Sequence, residues 1–204
     1  MSLQAQHPKL LLASASPARS QLLCAAGLTF EARAAGIDEV EVRRLARIWH
    51  ISDTGMALRL ASLKAEQIAR AEPEAIVIGC DQLLVCAEQW FEKPADTDAA
   101  RIQLRALRGR SHTLVTAVVC QQGEQRLWQH VAQPQLTMRA FSDAFLEEYL
   151  ALEEGRVTGT VGAYRLEGPG VHLFEAIDGE HSAILGLPLL PLLDFLRRQG
   201  VVVG

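Results

Sequence analysis

An α/β fold with a mixed rather than a purely parallel sheet follows from three features of this 204-residue sequence. Short leucine-rich or β-branched runs, LLLA at 10–13, IVIG at 76–79 and HTLVTAVVCQ at 112–121, alternate with segments that carry helix start and stop signals. At Gln122-Gly123 and Asp178-Gly179 only a turn separates apolar runs, so hairpins interrupt the strand–helix alternation. No repeat, low-complexity tract or linker divides the chain, so residues 1–204 are expected to form one domain in which any lobes share one fold.

Leu10 to Ala13 reads as a strand that feeds Ser14-Ala15-Ser16-Pro17-Ala18-Arg19. Pro17 suits the first helical position and Ser16 the N-cap before it. Such a helix start offers free N–H groups and a positive dipole end beside Ser14, Ser16 and Arg19, which is phosphate-binding chemistry; a capped helix with an incidental arginine is the alternative. Gly27 ends the helix, and Thr29 to Ala32 is a short strand before Gly36-Ile37-Asp38-Glu39. Two adjacent carboxylates after a glycine mark an exposed loop, or offer a second carboxylate to a metal. Ser52 or Asp53 then caps a helix that runs to about Ala71 and is stopped by Pro73. In it Lys64 shares a helical line with Ala57, Ala61 and Ile68, so it either snorkels to the rim or aims into a cleft.

The stretch AIVIGCDQLLVCAEQWFEKP, residues 75–94, sets Asp81 between two apolar runs. A carboxylate there is costly unless paired, so it belongs either to a turn or bulge or to a site with a metal ion or a substrate proton. Asp96 caps a helix from Thr97 to Arg108 that Gly109 ends. The strand from His112 to Gln121 pairs with one running to about Val131, and Leu136 to Ala140 is a further strand. Phe141 and Leu146 flank Ser142 as a hydrophobic staple for a helix to about Glu153. Gly159 to Gly170 is a glycine-rich loop carrying one buried-looking carboxylate, Glu167. Val171 to Ile177 reads as a strand, and Gly186-Leu187-Pro188 opens a last helix, Leu189 to Arg198.

A net charge of −4 without clustered Lys and Arg argues against a surface for polymeric nucleic acid. The N-terminus lacks a basic segment followed by an apolar one, and no run approaches the ~20 apolar residues that span a bilayer, so a cytoplasmic protein with no membrane partner is expected. Cys24, Cys80, Cys86 and Cys120 have no CxxC spacing and read as buried thiols. The histidines have no metal spacing, and GxGxxG, GxxxxGK[ST] and GxSxG are all absent. Ser14, Ser16, Arg19, Glu39, Lys64, Asp81, Lys93 and Glu167 interrupt apolar or turn contexts. Acids and cations in that mixture suit a triphosphate held with a divalent metal.

LASASPARSQLL, GIDE, LASLKA, IVIGCDQ, EKP, LRGRSHTLVTAV, VGAYRLEG and ILGLPL resemble, in order, the motifs of the Maf-like nucleoside triphosphate pyrophosphatases, over nearly the whole chain. The resemblance implies a two-lobed α/β fold, with a twisted mixed sheet, flanking helices and a cleft between the lobes. It implies hydrolysis of a nucleoside triphosphate to a monophosphate and pyrophosphate with a divalent cation, Mg2+ or Mn2+. Carried over by position, Asp81 is the general base and a metal ligand, Glu39 a metal-associated acid, and Lys64 a catalytic cation. Arg19, Lys64 and Lys93 hold phosphates, with Ser14 and Ser16 in the phosphate-binding turn.

The chain departs from the family pattern at Ala18, where a first arginine is expected, and at Glu92, where a glycine precedes the Lys-Pro pair. Gln82 after the catalytic aspartate, together with Glu167 in the late loop, resembles the branch that prefers 7-methyl-GTP rather than dTTP and UTP. A carboxylate at 167 can accept hydrogen bonds from guanine N1–H and its exocyclic amine, a pair that thymine does not offer. A dTTP, UTP or CTP pyrophosphatase and a nucleotide-binding regulator of cell division with little turnover are the alternative readings. A homodimer is left open.

Overall fold

The computed structural model describes residues 3–203. In chain order the elements are β1 (Leu10–Ala13), α1 (Pro17–Ala25), β2 (Glu31–Ala32), α2 (Glu39–Ile48), α3 (Asp53–Ala69), β3 (Ile76–Cys86), β4 (Gln89–Phe91) and α4 (Thr97–Leu107). There follow β5 (Ser111–Gln122), β6 (Gln125–Ala132), β7 (Gln135–Met138), α5 (Asp143–Glu153), three 3-10 turns between 156 and 173, β8 (Phe174–Asp178), α6 (His181–Ile184) and α7 (Leu189–Arg198). The strands form one mixed sheet in the order β2-β1-β3-β5-β7-β8, with β4 on β3 and β6 on β5. β1 pairs in parallel with β2 and β3, and the hairpins and β7 pairings are antiparallel. The mixed α/β class expected from the sequence is the class observed.

The chain groups into two compact units. One holds residues up to Asp81, Thr116–Ala132 and residues from Glu180 onward; the other holds Gln82–Val115 and Gln133–Gly179. In the first unit, alternate residues of β1, β3 and β5 point into one cluster: Leu10 and Leu12, Ile76, Ile78 and Cys80, Val118 and Cys120. Leu192, Phe195 and Leu196 of α7 close it, and Phe195 stacks on Trp128 of β6 at 5.1 Å. The other side of β3 meets α3, so both faces of the strand are covered and its sequence reads as a nearly unbroken apolar run.

In the second unit the buried side chains include Leu104 and Leu107 of α4, Leu136 of β7, and Leu146, Tyr149 and Leu150 of α5. His112 of β5 is also buried, sharing a 2.8 Å hydrogen bond with the Tyr164 hydroxyl and lying beside Phe174. Burial lowers the His112 pKa to about 4, so the ring is neutral.

One local alternative is decided and several expectations are corrected. β3 is continuous through Asp81, so this carboxylate sits in mid-strand rather than in a bulge. Glu39 begins a helix, not an exposed loop: Asp38 is the N-cap and accepts from the Glu41 amide. Ala87 and Glu88 both have positive φ and make a two-residue hairpin turn between β3 and β4, without the Asn-Gly signature that announces one. Residues 171–173 are a 3-10 turn, and β8 starts only at Phe174. Cys80, Cys86 and Cys120 are buried thiols, whereas Cys24 is exposed. Among the described residues no helix is long and apolar enough to cross a membrane.

Candidate active site

A contact between backbones sets the position of Asp81. A Cβ built on Gly79 would stand 2.1 Å from the Ala61 carbonyl oxygen and 2.9 Å from the Ala65 Cβ, so α3 lies directly on β3 at this point. Ala57, Ala61, Ala65 and Ala69 recur every four residues and are all buried, which keeps that face of the helix thin enough to approach. Asp81 is two residues beyond Gly79 and shares its face of the strand, while Lys64 is the residue before Ala65. The packing therefore delivers an ammonium to a carboxylate.

Lys64 Nζ lies 2.7 Å from Asp81 Oδ1 and 2.7 Å from Glu39 Oε1. Arg43, one helical turn beyond Glu39, donates from Nη2 to Glu39 Oε2 at 2.8 Å. Both oxygens of Glu39 are thus engaged, and burial, which would raise its pKa, is outweighed by Lys64 and Arg43, so it lies below the usual carboxylate range. Asp81 is 3% exposed, and its Oδ2 is buried with no hydrogen-bond partner. Burial dominates there: the Asp81 pKa is raised despite Lys64 and Arg19, and the Glu39 charge adds to the rise.

On the neighbouring strand end, Arg19 is held by three acceptors. Its Nε donates to Gly186 O at 2.8 Å, and its Nη1 to Ser14 Oγ at 3.0 Å and Cys80 O at 3.2 Å. Nη2 makes no hydrogen bond among the described residues. Gly186 has φ +98, and a Cβ there would come 3.1 Å from Arg19 Nε, so glycine makes room for the guanidinium. Ser14 Oγ also accepts from the Ser16 amide at 3.2 Å. Ser16 occupies the N-cap of α1 with extended backbone, but its hydroxyl makes no capping bond. Ser14, Ser16, Arg19, Glu39, Lys64 and Asp81 all belong to the first unit.

The other candidates belong to the second unit. Gln82 follows Asp81 on β3 and is half-buried. Lys93 is exposed in the connection from β4 to α4. Glu167 is 38% exposed, so the expectation of a buried carboxylate fails for it: the loop Leu166-Glu167-Gly168 turns the side chain outward.

The family described as "Maf-like protein" matches residues 9–199. The chain belongs to the Maf-like family. A curated relative from Granulibacter bethesdensis, named nucleoside triphosphate pyrophosphatase, is 52% identical over 94% of this chain and 97% of its own length. One from Rhodospirillum rubrum, with the same name, is 47% identical over 97% of this chain and 98% of its own. One from Rhizobium meliloti, named 7-methyl-GTP pyrophosphatase, is 44% identical over 96% and 98%.

In this Maf-like chain the structure adds residues that sequence reasoning missed. Arg43 was hidden because EVEVRRLARI was not read as a helix, although Glu39 and Arg43 have i,i+4 spacing. The buried carboxylate of the second unit is Glu153, at 0% exposure, and Arg165 Nε is 3.7 Å from it. No local signal marks Glu153, which stands beside an exposed glutamate at the end of α5.

Proposed function

We propose that this chain hydrolyses a nucleoside triphosphate between its α and β phosphates, releasing a monophosphate and pyrophosphate, with 7-methyl-GTP as the favoured substrate. The observation that carries the reading is the Lys64 ammonium at 2.7 Å from both Glu39 and Asp81, beside a buried Asp81 oxygen that has no partner. The names of relatives at 44–52% identity support it from outside the geometry.

Asp81 is the proton acceptor in this scheme. Its raised pKa strengthens it as a base, and Oδ2 is the lone acceptor not already committed to Lys64. Lys64 and Arg19 provide positive charge for phosphate oxygens. Arg19 is rigidly anchored through Nε and Nη1, with Nη2 left to donate. The Ser14 turn and the unused Ser16 hydroxyl open the start of α1 to an anion. Ala18 leaves that start with one guanidinium where the family pattern has two. Lys93 is the further phosphate-binding cation, and Gln82 and Glu167 select the base.

A divalent cation, Mg2+ or Mn2+, belongs to the proposal, and the donors fit it. Asp81 Oδ2 has two unused lone pairs, so one can face the cation while the other takes the proton, and a single carboxylate with waters and substrate phosphates is a donor set that suits Mg2+. Among the described residues no three or more His, Cys, Asp and Glu side chains converge on a metal position. Asp81 would hold the ion, and Glu39 contributes through Lys64 rather than as a free ligand. When bound, the cation supplies charge neutralisation at the phosphate oxygens.

The test is pyrophosphate release from a panel of 7-methyl-GTP, GTP, dTTP, UTP and CTP with Mg2+. Turnover should be highest with 7-methyl-GTP, and Asp81→Asn should lower kcat by about 10²–10⁴-fold, the range of a general base. Release that is unchanged in Asp81→Asn, or absent with every triphosphate, removes the mechanism; a preference for a pyrimidine removes the base assignment alone.

A further inference from the structure

Glu153, the last residue of α5, is fully buried, and neither of its carboxylate oxygens has a hydrogen-bond partner. It also stands at the negative end of its own helix, so the position is unfavourable on two counts. Two arginines answer it: Arg165 Nε is 3.7 Å from Oε2, and Arg156 Nε is 3.9 Å away. Arg156 is half-exposed and occupied in closing the helix, donating to Glu153 O at 3.0 Å and Leu152 O at 2.8 Å. Arg165 is the inner cation, and its Nε is buried without a hydrogen bond. That same Nε lies 3.6 Å from Glu167 Oε1. One guanidinium therefore stands between a sealed carboxylate and an open one.

The glycines of the loop hold Arg165 there. A Cβ on Gly170 would stand 2.4 Å from Arg165 O and 2.7 Å from Arg165 N, and one on Gly168 would stand 3.1 Å from Arg165 Nη2 and 3.4 Å from Glu153 Oε1. Loop backbone thus lies directly on both the main chain and the guanidinium of Arg165.

We propose that Glu153 is a buried counter-ion that holds Arg165 back from Glu167, and so preserves the charge of Glu167 for a cationic purine base. The inference rests on the reading that Glu167 faces the base. With Arg156 counted the cluster is neutral, two carboxylates against two guanidinium groups, but both arginines reach Glu153 and only Arg165 reaches Glu167, so the charge left partly uncompensated is that of Glu167. 7-Methylguanine carries a positive charge on its methylated ring that guanine and uracil lack, so that residual charge separates 7-methyl-GTP from the other two. Without Glu153, Glu167 is the nearest anion left to the inner arginine. Closing from 3.6 Å to hydrogen-bond distance would neutralise Glu167 and occupy the oxygens that read the base. Glu153 acts through Arg165 and is a positioning residue.

Steady-state kinetics of the full chain with Mg2+ and 7-methyl-GTP, GTP or UTP test this. Glu153→Gln should raise KM for 7-methyl-GTP about tenfold, the scale of one charge-assisted contact, while kcat and the UTP parameters stay within about twofold. Glu153→Gln combined with Arg165→Gln should return KM for 7-methyl-GTP to within about twofold of the wild type, because the net charge of the cluster returns to its wild-type value and two amides fill the same space. A double variant worse than Glu153→Gln, or a Glu153→Gln variant that loses UTP turnover equally, overturns the proposal and leaves Glu153 a packing residue. Glu153→Asp, which keeps the charge but withdraws it from Arg165, serves if Glu153→Gln does not fold. It should raise the same KM by a smaller factor, and no change overturns the proposal. Glu167→Gln separates the two levels. An equal effect on 7-methyl-GTP and UTP ends the base-facing role of Glu167, whereas a selective effect there with none in Glu153→Gln ends the counter-ion alone.

Discussion

At the scale of single residues, Asp81 shows how burial and charge divide one carboxylate's properties. Desolvation raises its pKa, Lys64 and Arg19 pull it down, and Glu39 pushes it up again. The acid limb of the pH–rate profile should follow this balance, because the proton acceptor must be ionised. Glu39→Gln removes the charge that adds to the rise while leaving Lys64 and Arg19 in place. The limb in kcat/KM should therefore move to lower pH than in the wild type. A limb that stays fixed, or moves upward, would show that Asp81 is not the titrating group. The six site residues of the first unit were legible in the sequence because each interrupts an apolar or turn context. The exposure of Glu167 was not, since a glycine-rich loop says nothing about which way its one carboxylate turns.

At the scale of elements, the site depends on how closely α3 approaches β3. Gly79 is the point of contact, and the buried alanines of α3 form the matching face. Gly79→Ala would force a methyl group to 2.1 Å from the Ala61 carbonyl, which is backbone and has little room to move. The expected cost is about 3 kcal/mol in a urea titration, with loss of turnover as Lys64 is lifted from Asp81. A variant as stable as the wild type would mean that the two elements separate freely. Helices with strong caps, such as α4 behind Asp96 and α5 behind Ser142, were readable from sequence. α2 is not: its cap, Asp38, reads with Glu39 as a loop pair, and five charged residues in EVEVRRLARI leave only Ala46 buried. β4 was missed for a different reason. Its turn asks Ala87 and Glu88 for positive φ, a conformation those residues seldom adopt.

At the scale of the whole molecule, the two units carry buried ionisable groups whose shifts have opposite consequences for acid stability. In the first unit Asp81 has a raised pKa. The folded state therefore binds the proton more readily than the unfolded state, and its contribution to stability is largest at low pH and is lost as pH rises through that pKa. In the second unit His112 is lowered from 6.5 to about 4 by burial. The unfolded chain then binds more protons between those values, so this contribution is full above about pH 6.5 and is lost as pH falls towards 4. The histidine, buried against Tyr164 and Phe174, accounts for up to about 3 kcal/mol over that window. Mild acid should thus loosen the second unit before the first. Amide exchange compared at pH 7 and pH 5 should show protection falling in residues 111–115 and 135–138 more than in β1 or α3. His112→Gln, which can still bond the Tyr164 hydroxyl but does not titrate, should remove most of that difference. Equal loss of protection in both units, or a difference that persists in His112→Gln, would assign the acid response to the exposed carboxylates instead.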